Sequence, residues 1–174
     1  MSGGRKGLLL GAIQIALVLS LGGKLLYDRV TRPRVWVLSQ VYDPDLPIRG
    51  RYLSEQLRLP AEGFAYKEPE QRNSNPYQNR QWAYFEVRDG QLIAKPQGSG
   101  SAGWVHVRKN SNDGGVFALT EEPVLFFVAE RAKIPTLKSG EEMWVEVTVP
   151  AQGPPRPIRI AVKQNGTLTP LKLD

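Results

Sequence analysis

The sequence predicts an all-β fold, preceded by one N-terminal transmembrane helix, for this chain of 174 residues. Three observations predict it. Residues 7–23, GLLLGAIQIALVLSLGG, carry no charge and have basic residues on both sides. The rest breaks into short stretches rich in β-branched and aromatic residues, separated by turns that contain glycine or proline. Two of those turns are Asp89-Gly90 and Asn165-Gly166, dipeptides that accept the positive φ angles of a two-residue hairpin. A sandwich or partly closed barrel of about nine or ten short strands answers that spacing.

The elements follow in order. Residues 1–6 are a short basic tail, with Arg5 and Lys6 before the apolar run. Leu25, Leu26 and Tyr27 extend that run past Lys24. Residues 7–27 thus reach the roughly 20 residues that cross about 30 Å of hydrocarbon, with Lys24 reaching to the headgroups. Ser20 and Gly22 are small, but no Ala-x-Ala pattern follows them, so the segment reads as a retained anchor or uncleaved signal. Two basic residues precede the uncharged run 7–23 and four follow it within about a dozen residues, a bias toward a cytoplasmic C-terminal domain, while the short tail and signal-like layout point the other way. These residues alone leave the orientation open. Residues 28–34 read as a linker.

Residues 35–174 read as the β-rich domain. Val35–Val41 is the first strand. Arg51–Leu59 is the second, its leucines at odd positions turning that face inward. Residues 60–80 form a polar insertion, long for a structureless loop and therefore functional or mobile. Gln81–Arg88 and Gln91–Lys95 flank Asp89-Gly90. Trp104–Lys109 and Val116–Leu119 are short strands. Pro123–Glu130, PVLFFVAE, is the most apolar stretch of the domain and reads as a central strand. Met143–Pro150 alternates clearly, and Pro157–Gln164 and Thr167–Leu173 flank Asn165-Gly166.

The side chains present exclude several chemistries. There is no cysteine, hence no disulfide, thiolate metal site or cysteine nucleophile. His106 is the only histidine, and no Gly-x-Ser-x-Gly accompanies it, so it reads as a strand residue. The adjacent acids Glu121/Glu122 and Glu141/Glu142 point to opposite faces of a strand, and Asp43/Asp45 lie in a turn. No motif marks a metal site, a cofactor or a small-molecule ligand. The net charge of +6 does not mark a nucleic-acid surface. Residues 1–34 hold six basic side chains against one acidic, whereas residues 35–174 hold seventeen against sixteen. No catalytic residue is assigned. The alternative kept is a membrane-bound serine–lysine hydrolase with a signal-peptidase-like β-fold. Its nearest serines are Ser39 and Ser54, and Lys95 is its strand lysine.

A motif lies just after the first strand: Asp43-Pro44-Asp45-Leu46-Pro47-Ile48-Arg49-Gly50-Arg51-Tyr52. A second stretch is Phe126-Phe127-Val128-Ala129-Glu130, and a third is Arg159-Ile160-Ala161-Val162 with its Asn165-Gly166 turn. In this order they resemble the bacterial family named for its GDYxxLxY motif. The chain departs from that motif at Arg51, Glu55 and Leu57, and Ala129 stands where the family has proline. The resemblance implies an anchored domain on the outer side of the cytoplasmic membrane, no established enzymatic activity, and a multi-span membrane protein as partner. It marks Asp43, Pro44, Arg49, Gly50, Arg51, Tyr52, Phe127, Val128 and Glu130 as motif residues. Arg49, Arg51, Glu55 and Glu130 are the candidate interaction residues, with Glu130 expected to pair with Arg49 or Arg51. The function expected is a non-catalytic accessory or interaction module for a membrane protein.

Overall fold

The computed structural model describes residues 3–42, 52–68, 78–111, 114–129 and 137–173. The chain forms two compact units, Met1–Arg32 and Pro33–Asp174. The first is a single helix, α1 (Gly3–Thr31). Among the described residues, Gly7–Thr31 is the one helix long and apolar enough to cross a membrane, with a mean hydropathy of 1.9 in its apolar stretch. The sequence predicts a linker over 28–34, but the helix runs on to Thr31. Nothing in Tyr27–Thr31 breaks it. The Arg32 side chain meets the Asp28 carboxylate one turn back, at 3.4 Å. Pro33 then excludes the helical conformation from its predecessor and ends the helix.

The second unit is all-β, as the sequence predicts: among the described residues it has ten strands, against the nine or ten expected, and their ladders are antiparallel. They are β1 (Arg34–Val41), β2 (Tyr52–Pro60), β3 (Arg80–Arg88), β4 (Gln91–Lys95) and β5 (Ala102–Lys109). The others are β6 (Val116–Thr120), β7 (Val124–Phe127), β8 (Glu141–Thr148), β9 (Arg156–Gln164) and β10 (Thr167–Pro170). The main path runs β10-β9-β8-β1-β2-β6-β5-β3-β4, with β7 also on β2, and the sheet curls into a half-barrel. Beyond β2, Ala61 bridges Ala94 of β4, and the Glu62 N–H donates to the Ala94 carbonyl at 3.0 Å. That contact returns the far edge of the sheet to β2. Asp89-Gly90 and Asn165-Gly166 both sit in their hairpins with positive φ, 52° and 75° in the first and 49° and 81° in the second.

The inward faces supply the core. Leu53, Leu57 and Leu59 of β2 are buried, as their odd positions predict. They pack with Val35 and Val37 of β1, Val145 and Val147 of β8, and Phe85 of β3. At roughly 25 cal/mol per Å² of apolar surface, each such side chain contributes about 1.5–3 kcal/mol of burial free energy.

One strand differs from its expectation. The apolar stretch expected as a central strand over 123–130 is described to Ala129 and is not central: β7 spans four residues, pairs only β2 among the described residues, and lies off the main path. Its cause is local. β6 and β7 run along the same side of β2, interrupted at Glu121–Pro123, and proline cannot donate to a ladder. The Thr120 hydroxyl fills the gap, accepting the Leu57 N–H at 3.0 Å. The insertion 60–80 is partly built into the fold. Phe64 and Tyr66 pack on the core, and the Asn79 side chain makes two hydrogen bonds to the Lys67 backbone, at 3.0 and 2.9 Å.

Candidate functional site

The sequence motif is only partly within the described residues. Asp43, Pro44, Arg49, Gly50, Arg51 and Glu130 lie outside them, and with them the expected pairing of Glu130 with Arg49 or Arg51. Tyr52, Glu55, Phe127 and Val128 are described, and they divide into two groups.

Tyr52 and Phe127 form a surface pair. The β2–β7 register sets them directly opposite each other, and their rings meet edge-on with centroids 5.9 Å apart. Tyr52 is 57% exposed, Phe127 66%, and Leu125, two residues before it on the same face, 52%. Alternation along the strand places Leu125 and Phe127 together on that face. Phe127 also borders an apolar groove of about 410 Å³, with Phe126, Ile158, Ile160, Leu171 and Leu173. The groove exists because the Ala129 N–H donates to the Leu173 carbonyl, at 2.8 Å, and draws the C-terminal stretch beside β7. Val128, by contrast, is a core residue.

Glu55 is also in the core. It sits on the leucine face of β2, fully buried, opposite Val41 of β1 and Val124 of β7. Among the described residues, neither carboxylate oxygen has a hydrogen-bond partner, and the buried Ser39 and Ser54 hydroxyls lack one too. Burial pushes the Glu55 carboxyl above the usual carboxylate range; the Ser39 hydroxyl, diagonal to it across the β1–β2 ladder, offsets part of this. The two groups nevertheless fall outside hydrogen-bond geometry. Glu55 is thus removed from the surface on which an interaction residue would act.

The residues considered for serine–lysine chemistry are not brought together. Among the described residues the Ser39 and Ser54 hydroxyls have no hydrogen-bond partner, and the Lys95 ammonium bonds the Glu86 carboxylate, with Glu62 at 4.0 Å. His106 lies on β5 opposite Arg80 of β3. Burial lowers its pKa; Glu121 pulls it back up, while Arg108 and Arg80 depress it further. Glu121 is itself held by Arg80 at 2.7 Å. Among the described residues, no group of three or more potential metal ligands assembles.

A second aromatic surface was not singled out by the sequence. Trp82 of β3 and Trp104 of β5 are cross-strand partners, with ring centroids 5.2 Å apart and nearly perpendicular. The Arg80 guanidinium stacks on Trp104 at 3.9 Å. Beside them opens a cavity of about 350 Å³. The sequence does carry one signal, the alternation of Trp82 and Tyr84 on one face of QWAYF. It contains nothing that sets Trp104 opposite Trp82, because register is a property of the sheet. Comparison of the chain with protein-family models, with curated proteins and with solved structures gives no match.

Proposed function

We propose that this chain is a single-anchor protein of the bacterial cytoplasmic membrane whose β-domain is a non-catalytic accessory or interaction module on the extracytoplasmic side. Its partner is a multi-span membrane protein. One observation carries the reading: Tyr52, Leu125 and Phe127 expose a joined apolar surface that continues into the groove of β7 and β9. Soluble surfaces seldom leave large aromatic side chains this exposed side by side, whereas recognition surfaces do. The apolar helix α1 supports the membrane placement. The motif resemblance, which includes Tyr52 and Phe127, supports the outer side.

Site-specific photocrosslinking in intact membranes tests it. A crosslinker replacing Phe127 should capture one discrete membrane protein, and the same group at Arg88, on β3, should not. Equal capture from both positions, or capture of soluble proteins alone, overturns the reading. A C-terminal reporter active only in the cytoplasm would overturn the orientation.

A further inference from the structure

The ladder between β1 and β2 is short: among the described residues only Ser39, Gln40 and Val41 find register partners, in Leu57, Gln56 and Glu55. Toward the start of β1 the two strands part. β1 goes on beside β8 as far as Arg34, and β2 beside β6 as far as Pro60. A groove of about 510 Å³ opens between them, within the range of about 300–1,000 Å³ typical of ligand sites. The buried residues Val37, Leu59 and Leu92 close its floor. Register sets its aromatic walls. Leu38 faces Trp144 across the β1–β8 ladder, with Trp36 two residues earlier on the same face. Pro60 faces Phe117 across the β2–β6 ladder, with Arg58 on the same face of β2.

The groove carries polar groups of three kinds. The Arg58 guanidinium lies 4.1 Å from the centre of the Phe117 ring, and among the described residues it meets no carboxylate. The Glu142 carboxylate accepts the Trp144 indole N–H through one oxygen, at 3.0 Å. The exposed Gln91 amide adds a donor and an acceptor at the rim. Both indoles also carry a cation: Arg159 stands 5.3 Å from the Trp36 ring and Lys163 4.2 Å from that of Trp144. Arg159 is tied to Glu146 at 2.5 Å, whereas Lys163, like Arg58, meets no carboxylate among the described residues.

These groups select a ligand by its chemistry. A cationic ligand would find Arg159 and Lys163 already on the indoles and would be repelled by Arg58. An acyl chain would cover Arg58, Glu142 and Gln91 without replacing the hydrogen bonds they make to water. A nucleotide would bring several phosphate charges to one guanidinium beside a carboxylate. A sugar answers all three kinds of group. One face of a pyranose ring is flat and apolar and packs on indole, while its hydroxyls donate to Glu142 and accept from Gln91 at the edge. An acidic sugar adds a carboxylate, which the planar guanidinium of Arg58 binds through two parallel N–H groups.

We propose that the groove between β1 and β2 binds an acidic glycan, with Arg58 on a sugar carboxylate and Trp36 and Trp144 against the rings. The groove shares no residue with the partner surface of Tyr52 and Phe127, and the proposal does not depend on the membrane placement. Isothermal titration calorimetry on the detergent-solubilised full chain tests it with three probes of equal length. They are a hexasaccharide alternating glucuronate and N-acetylglucosamine, the neutral hexamer of N-acetylglucosamine, and hexaglutamate. The acidic hexasaccharide should bind, and the other two should bind at least about tenfold more weakly. Arg58→Gln should weaken the acidic hexasaccharide by at least about tenfold, the loss of a charge-assisted pair. Arg88→Gln, which removes a cation held by Glu62 on another part of the domain, should leave its affinity unchanged. Trp144→Ala should weaken it as R58Q does. Where W144A does not fold, Gln91→Trp at the exposed rim blocks the groove and should abolish binding. No binding of the acidic hexasaccharide up to about 10 mM overturns the proposal. Equal affinity for hexaglutamate overturns it too, because charge alone would then suffice and an acidic peptide would serve. Equal affinity for the neutral hexamer, or an R58Q no weaker than R88Q, leaves Arg58 without a role and also overturns it.

Discussion

Replacing Glu55 with glutamine keeps the shape of a buried side chain and removes its charge. The carboxyl is fully buried, has no hydrogen-bond partner among the described residues, and is held above its ordinary pKa of 4.5 chiefly by burial. Below pH 4.5 the group is neutral in the folded and the unfolded protein alike, so the two chains should differ in stability by less than about 0.5 kcal/mol. Between 4.5 and the raised folded-state pKa, the folded chain retains a proton that the unfolded chain has released. Stability of the unsubstituted protein must therefore fall as pH rises through this window, by about 1.4 kcal/mol per pH unit for one proton, and level out above it. E55Q lacks that slope. It should become the more stable protein as pH rises, with the midpoint of thermal unfolding higher by about 4 °C per kcal/mol for a chain of this size. The assay is thermal unfolding of the detergent-solubilised full chain from pH 4 to pH 8. Parallel pH profiles would refute the reasoning. So would an E55Q that is less stable near pH 7 by about 1 kcal/mol or more, since it would mean that the carboxylate is ionised and paired with a cation.

Three further outcomes follow from the same structure. Thr120→Val removes the acceptor of the buried Leu57 N–H and should destabilise by about 1–3 kcal/mol in denaturant titration, while Thr120→Ser should retain most of the stability. Gly166→Ala should lose about 1–2 kcal/mol by the same titration; an added Cβ would meet nothing within 4 Å there, so the loss would reflect the positive φ of 81° alone. Asn79→Ala removes both hydrogen bonds that clip Lys67 to the start of β3, and limited proteolysis should cut near residues 67–79 several-fold faster, with little change in global unfolding.

Local pattern carried much of the fold. The strands were legible as short β-branched, aromatic, apolar or alternating runs between turn residues, and both Asx-Gly hairpins were legible because only a few residues accept positive φ twice in succession. The inward face of β2 was legible too, since three leucines at odd positions outvote one glutamate. That vote also buries Glu55, which the sequence offers as an interaction residue. A charge in a motif looks available until its face is known. The helix boundary moved because propensity lets Asp28–Thr31 continue α1 until Pro33 forbids it.

By itself, then, the sequence determined what short-range sterics and periodicity determine: one apolar helix, about nine or ten short strands, two tight turns and the inward face of β2. The tertiary structure decided which strands meet. Pairing and register depend on contacts between residues far apart in the chain, and these leave no periodic trace. Only the sheet brings Phe127 to Tyr52 and Trp104 to Trp82. Only the sheet makes the apolar stretch 123–130 a short lateral strand rather than a central one. Only the curl of the sheet opens an apolar cavity beside Trp82 and Trp104.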